Sequence, residues 1–146
     1  STGEGTNIPV TDDDGEPFES TSKWFLQGHQ GVQVGNEYRM VTRNDFALAV
    51  DLTSGQARHL FYMDSSKYAP DGYWMMYQVD KGGVYALEDS REDHVITLYF
   101  RPWDGKEWRE IFTTENLAGY LKEGWFSGEL KIQSFAVRPG WDGGAQ

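Results

Sequence analysis

From Lys23 onward the chain alternates apolar and polar side chains in short runs, each ended by turn residues, and this period-two pattern is the signature of β-strands. The pattern predicts strands over 24–27, 31–34, 37–42, 46–52, 59–63, 73–79, 84–87, 94–101, 110–113 and 129–137. The breaks between them are chemically explicit. Gly35-Asn36, Thr53-Ser54-Gly55, Lys81-Gly82-Gly83 and Asp104-Gly105 supply the conformations tight turns need. In the run 46–52, Phe46, Leu48, Val50 and Leu52 are expected to point inward, with Ala47 and Ala49 outward. In 94–101, Ile96, Leu98 and Phe100 are expected inward and Val95, Thr97 and Tyr99 outward. Helix has little room, and only 114–122 carries a helical pattern. Two stacked antiparallel sheets accommodate these strands, so the expected fold is all-β, an antiparallel β-sandwich of jelly-roll type.

The stretch from Tyr73 to Val79 departs from simple alternation, because neither of its faces is polar. Tyr73, Met75, Tyr77 and Val79 share one face and Trp74, Met76 and Gln78 the other. With the first set in the core, Trp74, Met76 and Gln78 form a solvent surface, and a one-residue slip would present Tyr73 and Tyr77 instead. A second aromatic group is the turn Arg101-Pro102-Trp103-Asp104-Gly105-Lys106-Glu107-Trp108, where two indoles flank an Asp-Gly tip among charged neighbours. Trp125 in a glycine-framed loop, together with Gln133 and Gln33 on short strands, extends the set. Trp24 is read as structural, and Trp141 follows Pro139-Gly140 in a tail.

Composition narrows the class. A length of 146 residues fits one domain, read as 21–140, with 1–20 as an acidic tether and 141–146 as a tail. The formal charge of −10 argues against a nucleic-acid partner, since phosphate binding is driven by Lys and Arg. The absence of cysteine removes disulfides, thiolate nucleophiles and zinc–thiolate sites. No apolar run has the length of a membrane span. Asp12-Asp13-Asp14-Gly15-Glu16 suits a hard cation in composition but lacks the EF-hand spacing, and is read first as a solvated acidic segment. No cofactor is expected.

Six Trp and eight Tyr are more aromatic surface than one small core absorbs. Flat exposed rings beside amides and charged forks suit a sugar, whose C–H face is apolar and whose rim is hydroxyl. A stack covering about 80 Å² gives about 2 kcal/mol, and two or three such stacks give dissociation constants of about 10 μM to 1 mM after ordering costs. Catalysis is poorly supported. Glycoside hydrolysis needs two carboxylates flanking the bond, and the strongest strands carry none in their interiors; Asp104 with Glu110 could converge, but a tip loop offers no rigid, desolvated pocket to tune them. His29, His59 and His94 form no metal-binding spacing.

The aromatic-and-glutamine strand 73–78, the Trp103 to Trp108 loop, and the closing segment 127–137 with its Pro139-Gly140 exit resemble the β-sandwich carbohydrate-binding modules appended to plant-cell-wall hydrolases. The resemblance covers about 21–140 and is one of pattern, with no diagnostic signature. It implies non-catalytic binding of a β-glucan polysaccharide, β-1,4- or mixed-linkage and including xyloglucan, or of crystalline cellulose if the rings form a flat row. The ligand-binding residues would be Trp74, Met76, Gln78, Arg101, Trp103, Trp108, Trp125 and Gln133. The module would be secreted and monomeric within a multidomain hydrolase; the structural calcium site frequent in such modules is not recognisable here. A protein-interaction or adhesion module, and more distantly a small glycoside hydrolase or lyase domain, remain the alternatives.

Overall fold

The computed structural model describes residues 7–12, 14–17, 31–42, 46–63, 73–90, 95–114 and 134–141, the side chains of 73–75 and 89–90 excepted. The described residues are all-β, with two antiparallel four-stranded sheets and no helix. These are the component layers that a sandwich requires. The chain divides into two compact units, Ser1–Met63 and Asp64–Gln146, each holding one sheet.

The first unit contains β1 (Gly31–Val34), β2 (Glu37–Val41), β3 (Phe46–Asp51) and β4 (Ala57–Tyr62), in the order β1-β2-β3-β4. Val34 pairs with Glu37 across a two-residue turn, where Gly35 adopts φ 60°, a left-handed conformation available to glycine at little cost. The β3–β4 turn is built around Asp51, whose Oδ1 accepts hydrogen bonds from the Thr53 and Ser54 N–H groups and the Ser54 hydroxyl. The second unit contains β5 (Tyr73–Val79), β6 (Gly83–Ser90), β7 (Val95–Pro102) and β8 (Arg109–Thr113), again in sequential order. Within each sheet, every strand therefore lies beside its chain neighbour. These are meanders, whereas a jelly roll would alternate consecutive strands between sheets.

In the first unit, Met40, Leu48 and Ala57 form a buried cluster with Tyr38, Phe46 and Val50 packed against it. The expected outward residues Ala47 and Ala49 are buried as well, so this strand is covered on both faces, and Leu52 lies beyond the strand in the exposed turn. In the second unit, Tyr85, Leu87, Leu98, Phe100 and Val137 form the core, joined by Met76, Ile96, Ile111, Phe135 and Trp141. Leu98, Phe100 and Ile96 thus point inward as their alternation predicts. The opposite face is not open either, because Thr97, Val84, Ala86 and Glu88 are all buried.

Two expectations about the chain ends change. Within residues 1–20, read as tether, Thr11 bonds to the first sheet's β3–β4 connection: it donates its N–H to the Gly55 carbonyl and accepts from the Ala57 N–H. Gly55, at φ 79°, lies so close to the Pro9 carbonyl that a Cβ there would collide with it. At the other end, Ser134–Val137 forms no strand but does join the second core, and Trp141, read as tail, stacks on Tyr85 with ring planes 12° apart. Residues 24–27, 115–122 and 129–133, where a strand, a helix and part of the last strand were expected, lie outside the described residues.

Candidate functional site

The residues expected to bind ligand fall into three groups. Trp125 and Gln133 lie outside the described residues, as does the side chain of Trp74, whose backbone stands opposite Asp89 in the β5–β6 register. Met76 and Gln78 do not face open solvent. They stand opposite Leu87 and Tyr85, core residues; Met76 packs against that core and Gln78 bonds to Val137 within it. Gln78 is engaged as a main-chain mimic: its Oε1 accepts from the Val137 N–H at 2.6 Å and its Nε2 donates to the Val137 carbonyl at 3.2 Å. The carboxamide holds the 134–141 segment to the sheet as a strand partner would.

The Trp103 to Trp108 turn is likewise structural on its first half. Trp103 is 7% exposed, and its indole N–H donates to the Asp80 carbonyl at 2.9 Å. The ring therefore closes over the β5–β6 turn instead of presenting a face to ligand. A tryptophan in a charged turn meets this fate when a neighbouring turn offers a carbonyl with a lone pair to spare, as Asp80 does beside the bond it accepts from the Gly83 N–H. Arg101 donates from Nε to the Gly105 carbonyl at 3.1 Å and braces the same loop. Trp108 is half-buried, and its buried Nε1–H has no acceptor among the described residues.

Two surfaces of the first unit stand out from this background. The first is aromatic. Tyr62, near the end of β4, is 68% exposed. Its ring stacks on His59 at 6.1 Å with planes 28° apart, and Phe46 meets both rings edge-on, at 4.7 Å from His59 and 6.3 Å from Tyr62. Phe46 and Tyr62 are direct cross-strand partners, and His59 opposes Leu48, so the three rings share one sheet face. Leu60 is the extra residue of a bulge in β4, and this bulge brings Tyr62 into register with Phe46.

The second surface is polar, a concavity of about 240 Å³ lined by Glu37, Asp51, Ser54, Gln56 and Arg58. Glu37 is clamped from both sides. Arg58 donates to its Oε1 at 2.6 Å, and Arg39 donates to its Oε2 at 2.9 and 2.7 Å. The Arg58 hydrogen bond, only partly opposed by burial, holds the Glu37 carboxyl below its usual pKa. Asp51 is also held below its usual value, chiefly by the Ser54 and Thr53 N–H groups. Its Oδ2 accepts from the Asn36 amide, which also donates to Thr53 Oγ1. Gln56 presents an exposed amide at the lip, its backbone fixed by the Ser54 hydroxyl and by the bridge to Thr11.

In the second unit Glu88, Tyr99 and Glu110 lie on one face of the sheet, in neighbouring strands. Burial raises the Glu88 pKa, against the Tyr99 hydroxyl hydrogen bond that lowers it. Burial, then the Glu88 charge, pushes Tyr99 up to about 12. Glu110 Oε1 accepts from Thr113 Oγ1 at 2.8 Å. Two carboxylates in unlike environments are the raw material of acid–base chemistry. Glu88, however, is 8% exposed, and a substrate cannot reach it. The group is a polar network buried at its Glu88 end and exposed at Glu110. Sequence reasoning missed both it and the Phe46–His59–Tyr62 group; the outward parity of Thr97 and Tyr99 was the available signal for the former.

Among the described residues no cluster of His, Asp and Glu is arranged to hold a metal ion; in the acidic segment, Asp12 Oδ1 accepts from the N–H groups of Asp14 and Glu16. No helix of the described residues is long and apolar enough to cross a membrane. No known protein family, curated protein or solved structure matches this chain.

Proposed function

We propose that this chain is a non-catalytic module that binds a neutral β-glucan by ring stacking and holds an attached, secreted glycoside hydrolase on that substrate. The observation that carries the reading is Tyr62, 68% exposed yet backed by His59 and edged by Phe46. A tyrosine on a free loop would pay rotamer entropy on meeting a sugar ring. One stacked within a three-ring group on a paired strand has already lost most of it. A sugar face covering about 80 Å² of this platform gives about 2 kcal/mol. Neutral ligand is favoured over charged polymer by the −10 formal charge, which repels polyanions.

Affinity gel electrophoresis against a panel of soluble β-glucans tests the reading. Retarded migration on at least one glucan is expected, with little change when salt rises to about 0.5 M, because stacking is not screened. Tyr62→Ala is expected to weaken retardation about tenfold to thirtyfold and to leave the denaturation midpoint nearly unchanged, since the ring is largely outside the core. Unaltered migration on every glucan, or tenfold weakening by salt, refutes the proposal. Glycan-independent capture of a protein through Tyr62 would replace it with the interaction-module alternative.

A further inference from the structure

The polar concavity of the first unit has a hydrogen-bonding balance that is not closed internally. Its two carboxylates are committed: Glu37 accepts from two guanidinium groups, and Asp51 accepts from two N–H groups, a hydroxyl and an amide. Its donors are not. Among the described residues Arg58 makes one side-chain hydrogen bond, through Nη2, and its side chain is 50% exposed, so Nε and Nη1 are not engaged by them. The exposed Gln56 carboxamide makes no hydrogen bond with the described residues and offers two donors and an acceptor beside that fork. Two negative charges, Glu37 and Asp51, meet two positive ones, Arg39 and Arg58, so the site is locally neutral. An anion would approach two carboxylates as well as a guanidinium that Glu37 already balances.

The geometry points to a second ligand site, in which the Gln56 amide and the Arg58 fork bind the vicinal hydroxyls of a single neutral sugar residue. The volume of about 240 Å³ is below the roughly 300 Å³ at which pockets for drug-sized ligands begin, and so suits one ring and not an oligosaccharide. A planar fork and a planar amide each present paired donors, the pattern that adjacent hydroxyl oxygens accept. The frame is rigid where it matters. The Asp51-centred turn fixes Ser54, and Thr11 bonds on either side of Gln56, to Gly55 and Ala57. By register Arg58 stands opposite Ala49, whereas His59 and Tyr62 stand opposite Leu48 and Phe46, so this site and the aromatic platform use opposite faces of β4. The inference shares with the proposed function only its class of ligand.

The test is an amide-shift NMR titration of the whole chain with methyl β-D-glucopyranoside. Saturable shifts at Ser54, Gln56 and Arg58 are expected. Gln56→Ala should weaken them about tenfold, and Arg58→Met, which keeps the stem and leaves Glu37 paired with Arg39, should abolish them while the remaining spectrum stays that of the folded protein. Tyr62→Ala should leave these shifts intact, which separates failure here from failure of the platform on polymeric glucan. No saturable shift at the three positions, or equal affinity in Gln56→Ala, overturns the inference. Tighter binding of methyl β-D-glucuronide than of the neutral glycoside overturns its ligand class.

Discussion

Replacing Gln78 by alanine separates a ligand-facing role from a structural one. In this fold the carboxamide makes two hydrogen bonds to one residue, Val137, which is 9% exposed and belongs to the core cluster with Tyr85, Leu87, Leu98 and Phe100. Each bond contributes about 0.5 to 1.5 kcal/mol net, and a buried N–H or C=O left without a partner costs about 1 to 3 kcal/mol. Water enters part of the vacated space, so the loss in Gln78→Ala is placed at about 2 to 4 kcal/mol. Urea denaturation measures it. Hydrogen exchange at the Val137 amide localises it, with protection falling between about thirtyfold and a thousandfold. Gln78→Glu is the sharper probe. A carboxylate still accepts from the Val137 N–H but meets the Val137 carbonyl with a lone pair, which raises its folded pKa above the ordinary value of about 4.3. Stability of that variant is therefore fully retained below the ordinary value, where the acid donates to the carbonyl, and is lost as pH rises through the folded pKa. Unchanged denaturation and exchange in Gln78→Ala, coupled with lost glucan binding, would refute this and return Gln78 to the ligand surface.

Trp103→Ala is expected to cost about 3 to 5 kcal/mol in urea denaturation, because a buried indole is removed and the Asp80 carbonyl loses one of its two donors; a midpoint unchanged from the parent would show that the ring is a surface platform after all. Glu88 has a folded pKa raised above 4.5 by burial, so the stability it contributes at low pH is lost as pH rises through that folded value. Glu88→Gln should accordingly flatten the decline of stability as pH rises above 4.5, and should bring Tyr99, followed by its phenolate absorbance, below its value of about 12. Identical pH profiles and identical tyrosine titration in the two proteins would remove Glu88 as the cause.

The eight described strands and their hairpin turns were legible in the sequence because both are local, whereas Ser134–Val137, read as the end of a strand, forms none. A two-residue turn such as Gly35-Asn36 needs a left-handed residue between two alternating runs, and Gly35 adopts it; the register Val34 to Glu37 follows directly. The inward set Leu98 and Phe100 was legible for the same reason, since alternation assigns residues to faces. Alternation does not say what each face meets. Ala47 and Ala49, Thr97 and Glu88 are small or polar residues on second faces that the fold also buries. The indole of Trp103 and the amide of Gln78 can satisfy their hydrogen bonds on a sugar or on a distant main chain, and nothing within a few residues decides between them. The partners that decide are Asp80, 23 positions from Trp103, and Val137, 59 positions from Gln78. The same holds for the Phe46–His59–Tyr62 group, which exists only because β3 pairs with β4 across a bulge at Leu60. What the sequence determined by itself were strands, turns and face assignments, each set by backbone chemistry over a few residues. Which aromatic rings are covered and which stay exposed was decided by tertiary structure, since burial depends on contacts between segments far apart in the chain.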